Sequence, residues 1–205
     1  MYKVGYVDDD DSAYGDYKKR LGRKGIDLLF VQNCNSLNDI YDWVVLNAVE
    51  CLIVDHILTA KYDFHGTKVV AHINNQLPDL PCIILTNYPE DSVSDNLVMK
   101  NLILDRHVMA NDDINDTCDL IKQAAEVFRN RLKIHLEKYS ELYQKKSAHI
   151  ISAEEEETLM HLYKLLRAYG EVDDIPTELL KSDVNQRIDS LMKKLDNYID
   201  SNTQD

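Results

Sequence analysis

Short apolar runs alternate with segments of helical periodicity along the first half of the chain. The apolar runs predict five strands, at residues 3–7, 26–32, 51–58, 81–86 and 101–109. The intervening segments space their apolar side chains as helices do, at residues 12–25, 36–48, 67–76 and 89–100. The strands are continuously apolar, which is typical of parallel strands covered on both faces. We therefore predict an α/β fold: a flavodoxin-like, doubly wound parallel sheet of five strands in the order 2-1-3-4-5.

The periodicity changes after Asp113. Apolar or small side chains then recur three and four residues apart with no intervening glycine or proline. This coiled-coil-like spacing lasts for roughly eight turns, more than a helix needs to cover a sheet. We therefore predict an α/β sheet domain at residues 1–128. An extended fifth helix then leads into a helical extension at residues 129–205.

Two more helices are predicted within the helical extension. Ser152 and Glu155 have the spacing of a capping box, and the apolar stripe behind them runs as far as Gly170. A last helix is predicted to begin near Pro176 and to form an antiparallel helical hairpin with the preceding one. We expect the extension to support oligomerisation, as a homodimer, or to dock a downstream protein partner.

The charge of the chain excludes some partners. It carries 23 basic and 36 acidic residues, a net charge of −13, and residues 147–205 alone have six basic and thirteen acidic side chains. Because phosphate backbones and anionic lipids bind clustered Lys and Arg, we expect neither nucleic acid nor a membrane as a partner. No apolar run is long enough to span a bilayer. The four cysteines form no CxxC pair, and Cys51 and Cys82 lie in apolar runs, so a reducing cytoplasm is expected.

Polar side chains interrupt the apolar pattern where the predicted strands end. Asp8 and Asp9 follow the first strand, Asp55 ends the apolar part of the third, Thr86 ends the fourth, and Arg106 falls late in the fifth. Because the carboxyl ends of parallel strands share one edge of the sheet, these groups should converge. Neighbouring carboxylates repel one another and need a divalent cation or shifted pKa values. An all-oxygen ligand set favours Mg²⁺.

Other polar residues near this edge have simpler interpretations. Asp10 and Asp11 are expected to lead into the first helix, whose N-terminus suits negative charge. His56 and His65 flank the predicted site and are expected to be solvated. The remaining carboxylates of this acidic chain need no special role.

Three segments together resemble the receiver domain of bacterial response regulators: "YVDDD" after the first strand, "CLIVD" at the third and "IILT" at the fourth. The resemblance covers about residues 1–128. It implies a cytoplasmic signalling protein rather than an enzyme, whose acceptor aspartate is phosphorylated by a partner histidine kinase or phosphotransfer protein.

The resemblance also implies roles for individual residues. Asp8 and Asp9 would be the acidic pair, with Asp9 the more direct ligand of Mg²⁺. Asp55 would be the phosphoacceptor and a metal ligand, and Thr86 the hydroxyl that turns toward the phosphoryl group. The main-chain carbonyl of Ile57 would be a further metal ligand, and Arg106 stands where the family has a lysine.

Three departures from the family pattern leave a second function open. The segment "DRHVM" has Arg106 in place of a Lys-Pro pair, the loop at 56–66 is a few residues longer than usual and lacks its proline, and Ile103 replaces a common aromatic residue. These features favour a pseudo-receiver, a scaffold or adaptor subunit that is not phosphorylated.

Two enzyme or cofactor classes fit the sequence less well. A haloacid-dehalogenase-like phosphatase would need a second aspartate two residues after its nucleophile. The residue two positions after Asp55 is Ile57, although Asp10 follows Asp8 at the required spacing. A flavin-binding protein would need a Ser-, Thr- or Gly-rich phosphate loop after the first strand, where this chain has four acids.

Overall fold

A five-stranded parallel sheet forms the centre of the molecule, in the order β2-β1-β3-β4-β5. The computed structural model describes residues 1–109 and 114–173. The strands are β1 Tyr2–Val7, β2 Ile26–Phe30, β3 Cys51–Val54, β4 Cys82–Thr86 and β5 Ile103–Asp105. The predicted fold class and strand order are therefore confirmed.

Helices cover both faces of this sheet and continue beyond it. They are α1 Tyr14–Gly22, α2 Leu37–Leu46, α3 Gly66–Gln76, α4 Pro89–Ser94, α5 Asn115–Ser147 and α6 Ala153–Ala168. Short 3-10 turns at Lys100–Leu102 and Arg106–Met109 flank β5.

Three predicted elements are at least twice as long as the observed ones. The third strand ends at Val54, because the chain turns after Asp55 to bring the Gly66 N–H to the His56 carbonyl at 2.8 Å. The helix predicted at residues 89–100 ends at Ser94, and Asn96 then adopts a left-handed backbone conformation with φ of 53°. The fifth strand has only three residues, because a 3-10 turn follows it directly. Val108 and Met109 pack into the core from that turn rather than from the strand.

Two apolar cores lie on opposite faces of the sheet. One is formed between the sheet, α2 and α3, and the other between the sheet, α1 and the first half of α5. Cys51 and Cys82 are fully buried free thiols in these cores, as predicted. The described helices include none that is both long and apolar enough to cross a membrane.

The helical extension folds back on itself. α5 is 33 residues long, and its second half packs against α6 around a third apolar cluster that includes Tyr139, Leu142 and Tyr163. Lys145 and Lys146 at the end of α5 pair with Glu155 and Glu156 at the start of α6, so the two helices run antiparallel. The observed hairpin is thus made by α5 and α6. The predicted last helix near Pro176, and its hairpin with α6, lie outside the described residues.

The far end of α6 contacts the sheet domain. The ring of Tyr169 lies edge-on to Phe128 with ring centroids 5.4 Å apart, and its hydroxyl accepts a 2.9 Å hydrogen bond from the Asp79 N–H. The Tyr41 hydroxyl of α2 donates to the Ala168 carbonyl at 3.1 Å. The turns of α5 beyond the sheet therefore meet a segment of the same chain. A domain boundary at residue 128 stays a prediction.

Ser36 caps α2 and supplies a test of the local fold. Its hydroxyl accepts from the Asp39 N–H, while the Asp39 carboxylate accepts from the Ser36 N–H, which completes a capping box. We expect Ser36→Ala to lower the free energy of unfolding by about 1 kcal/mol, since the Asp39 N–H loses its acceptor. Urea denaturation should show a smaller loss for Ser94→Ala, an exposed serine within α4. Equal losses would contradict the capping role.

Candidate functional site

Three carboxylates converge at the carboxyl edge of the sheet. Asp8 follows β1 and Asp55 follows β3, and these neighbouring strands are in register at Val7 and Val54. One carboxylate oxygen from each of Asp8, Asp9 and Asp55 lies within 4.8 Å of the others. Asp8 and Asp55 are buried, whereas Asp9 is half-buried. The expected convergence of these three groups is therefore present.

Arg106 pairs with two of these carboxylates at once. Its Nη2 lies 2.8 Å from Asp8 Oδ2 and 2.7 Å from Asp55 Oδ1. Arg106 is the first residue after β5, and its side chain is 19% exposed. Its Nε is buried and has no hydrogen-bond partner among the described residues. The guanidinium thus bridges the carboxylates that follow β1 and β3.

Asp8 is also held by its own segment. The Tyr6 hydroxyl donates to Asp8 Oδ2, and the Asp10 N–H donates to Asp8 Oδ1 at 3.0 Å. Burial raises the pKa of Tyr6, and the adjacent Asp8 raises it further. Sequence reasoning missed Tyr6, although residues two apart in a strand share one face of the sheet. That spacing could have identified it as a partner of Asp8.

The loop between β3 and α3 closes over Asp9. The Ala60 N–H donates to Asp9 Oδ2 at 2.8 Å. At the end of this loop, a Cβ on Gly66 would lie 1.9 Å from the Asp55 carbonyl oxygen, so only glycine fits there. Sequence reasoning noted the length of the loop but did not predict its contact with Asp9.

Asp10 belongs to the turn that precedes α1. Its carboxylate accepts from the Ser12 N–H at 2.9 Å and from the Ser12 hydroxyl at 2.8 Å, and these bonds hold the pKa of Asp10 below its usual range. The neighbouring Asp11 is exposed, and its carbonyl accepts from the N–H of Tyr14, the first residue of α1. These two acids lead into the first helix, as expected.

Thr86 ends β4, as predicted, and Ile57 lies in the loop that follows β3. Thr86 is fully buried at the last position of β4, and its Oγ1 accepts from the Tyr88 N–H at 3.1 Å. Ile57 is half-buried in the loop, two residues after Asp55. Their roles toward a phosphoryl group or a metal stay predictions.

His56 differs from the sequence expectation. His65 is exposed, as expected, but His56 is buried, and the two rings stack with centroids 5.0 Å apart. The His56 Nδ1 has no hydrogen-bond partner among the described residues and lies 4.0 Å from Asp95 Oδ2. Burial lowers the pKa of His56. The expectation of a solvated His56 was wrong because the loop after Asp55 packs its ring beneath His65 and beside α4.

The charges at this edge suit a divalent cation. Burial raises the pKa of Asp55 to about 6; the Arg106 cation opposes this rise and the Asp8 carboxylate adds to it. When ionised, the three carboxylates and one guanidinium leave two formal negative charges at the edge. Carboxylate oxygens are the donors that Mg²⁺ prefers. The chemistry of the donor set therefore fits Mg²⁺.

Comparison with solved structures finds receiver domains. The signal receiver domain of an HD domain-containing protein from Pseudomonas fluorescens Pf-5 has a TM-score of 0.50 and 18% identity, with 63% of this chain and 90% of that chain covered. A response regulator receiver domain protein from Clostridium thermocellum has a TM-score of 0.48 and 20% identity, with coverages of 64% and 98%. A CheY-like receiver domain protein from Methanospirillum hungatei JF-1 has a TM-score of 0.49 and 18% identity, also with coverages of 64% and 98%.

The sequence alone gives no such match. No protein-family model matches it, and no curated protein is significantly similar to it. Over about 63% of its length, this chain has the fold of the response regulator receiver domains.

Proposed function

We propose that the protein is a signalling receiver in which Asp55 accepts a phosphoryl group with the help of Mg²⁺. The observation that carries this proposal is the convergence of the Asp8, Asp9 and Asp55 carboxylates within 4.8 Å at the carboxyl edge of a receiver fold. Asp8, Asp9, Asp55 and the main-chain carbonyl of Ile57 would hold the ion. When bound, Mg²⁺ would neutralise charge on the phosphoryl oxygens during transfer.

Asp55 supplies the nucleophile. Its ionised carboxylate attacks the phosphorus of a phosphohistidine or of a small acyl phosphate; one O–P bond forms, and the donor leaves with the electrons of the bond that breaks. Thr86 is buried at the end of the neighbouring strand, and its hydroxyl would donate a hydrogen bond to the new phosphoryl group. The added charge and acceptor oxygens can then reorder the surrounding loops.

A histidine kinase or a phosphotransfer protein would provide the phosphoryl group, and the helical extension would carry the output to a protein partner or to a second copy of the chain. The acidic composition of residues 147–205 supports a protein partner rather than DNA. Sedimentation of the full-length protein at increasing concentration tests the homodimer. A species that stays monomeric would assign the extension to a different protein.

A pseudo-receiver is the second candidate. The ion pairs of Arg106 with Asp8 and Asp55 favour it, because an internal cation already balances part of the acidic site. In that case the fold would act as an adaptor without phosphorylation.

A phosphoryl mimic separates these two functions. We expect beryllofluoride with Mg²⁺ to give bound resonances in ¹⁹F NMR and to raise the melting temperature of the wild-type protein. Asp9→Asn should lose both effects, since it removes a metal-binding carboxylate, whereas Asp11→Asn should retain them. Asp11 is the matched control, because it has the same charge and lies in the same acidic run but outside the converging group. No bound resonance in the wild type would favour the pseudo-receiver.

A further inference from the structure

We propose that Arg106 is a tethered cation that occupies the resting site, so that a divalent cation binds only by displacing its guanidinium from Asp8 and Asp55. The inference rests on the proposed function, since it concerns the same site, but it addresses cation binding alone. It makes Arg106 the residue that sets how tightly the site holds a divalent cation.

Each carboxylate of the resting site already has an internal donor. Arg106 Nη2 contacts Asp8 Oδ2 and Asp55 Oδ1 at 2.8 and 2.7 Å. The Tyr6 hydroxyl and the Asp10 N–H supply the remaining bonds to Asp8, and the Ala60 N–H bonds Asp9 Oδ2. The site is therefore ordered by groups of this chain before any ligand arrives.

A divalent cation and the guanidinium cannot share these oxygens at low cost. A bound Mg²⁺ lies about 2.0–2.1 Å from its carboxylate oxygens. A guanidinium nitrogen that kept its contacts to the same two oxygens would lie close to the ion, and two cations repel strongly in a partly buried site. Cation binding and the double ion pair of Arg106 are therefore competing states.

The surroundings of Arg106 also allow its guanidinium to move away from Asp8 and Asp55. Its Nε is buried without a partner among the described residues, so the present position leaves one donor unsatisfied. The side chain is 19% exposed, which gives the guanidinium a route to solvent. Arg106 opens a 3-10 turn after β5, a three-residue strand that pairs with β4 at the edge of the sheet. A change in this turn does not require the centre of the sheet to move.

Calorimetric titration with Mg²⁺, without any phosphoryl donor, tests the competition. We expect Arg106→Gln to bind Mg²⁺ roughly tenfold more tightly than the wild type, a coupling of the usual size between competing ligands. The Mg²⁺ affinity of Arg106→Lys should lie between those of the wild type and Arg106→Gln, because lysine keeps the charge but lacks the planar guanidinium. Arg129→Gln is the matched control. It removes one positive charge from an ion pair with Glu50, which precedes β3 at the amino ends of the strands, and it should bind Mg²⁺ as the wild type does.

The wild-type protein supplies a second readout, for which Arg106→Lys serves only to assign one signal. The Arg106 Nε–H should give a protected NMR cross-peak, assigned by its absence in Arg106→Lys, that shifts or exchanges faster on saturation with Mg²⁺. Mg²⁺ affinity in Arg106→Gln that equals or falls below the wild-type value would overturn the proposal, as would an unchanged cross-peak in the Mg²⁺ complex. Failure of Asp55 to accept a phosphoryl group would leave these affinities unaffected, so the two proposals fail separately.

Discussion

Replacing Tyr169 by alanine is expected to lower the free energy of unfolding by about 3–5 kcal/mol, the usual cost of deleting a buried aromatic ring. Tyr169 is 9% exposed and joins the core between the sheet, α2 and α3, where its ring meets Phe128. Its hydroxyl accepts from the Asp79 N–H, and burial raises the pKa of Tyr169 to about 12. The end of α6 therefore belongs to the core of the sheet domain.

A graded set of variants separates the ring from the hydroxyl. Tyr169→Phe keeps the ring and should cost about 1 kcal/mol, the typical loss for one hydrogen bond. Tyr143→Ala removes an exposed tyrosine from α5 and should cost less than about 1 kcal/mol. Urea denaturation of the full-length protein would measure these losses. If Tyr169→Ala and Tyr143→Ala cost the same, α6 does not stabilise the sheet domain.

The Asp55 carboxyl is expected to make stability fall as the pH rises from about 4 to about 6. Its pKa in the folded protein is raised from 3.8 to about 6, so between these values the folded state binds more protons than the unfolded state. Stability is therefore highest below the unfolded pKa, and is lost progressively as the pH rises to the folded pKa. A difference of about 2 pKa units corresponds to roughly 3 kcal/mol.

Asp55→Asn isolates this contribution. Urea denaturation at a series of pH values, in the presence of a chelator, should give a wild-type-minus-variant difference that becomes less favourable to the wild type across this range. The comparison uses only the slope, because the substitution also changes the contact between residue 55 and Arg106. Asp10 and Asp39 have lowered pKa values and change stability in the opposite direction, but they contribute to both proteins. A difference curve that is flat from pH 4 to 6 would contradict the raised pKa of Asp55.

Much of the fold could be predicted from the sequence because its patterns are local. Continuous apolar runs alternating with helical periodicity predicted the parallel sheet and its strand order, and Ser36 and Ser152 stand at observed helix caps. The ends of elements were harder, since a tertiary contact decides them. The turn after Asp55 shortens β3, and Asn96 ends α4, neither of which changes the hydrophobic pattern.

The candidate site was also predictable only in part. The convergence of Asp8, Asp9 and Asp55 follows from parallel strands that end at one edge, so residue spacing was enough to predict it. The contact of the Ala60 N–H with Asp9 depends on the path of a loop, and the double ion pair of Arg106 depends on where a flexible side chain comes to rest. The return of α6 to the sheet through Tyr169 joins segments far apart in sequence, for which periodicity carries no information.

Phosphorylation of Asp55 is the most direct test of the proposed function. The wild-type protein, Asp55→Asn and Asp11→Asn would each be incubated with acetyl phosphate and Mg²⁺, and their intact masses measured under conditions that preserve acyl phosphates. We expect the wild type and Asp11→Asn to gain the mass of one phosphoryl group, the wild type to lose this gain in excess chelator, and Asp55→Asn to gain none. No gain in the wild type, or an equal gain in Asp55→Asn, would contradict the assignment of Asp55 as the phosphoacceptor.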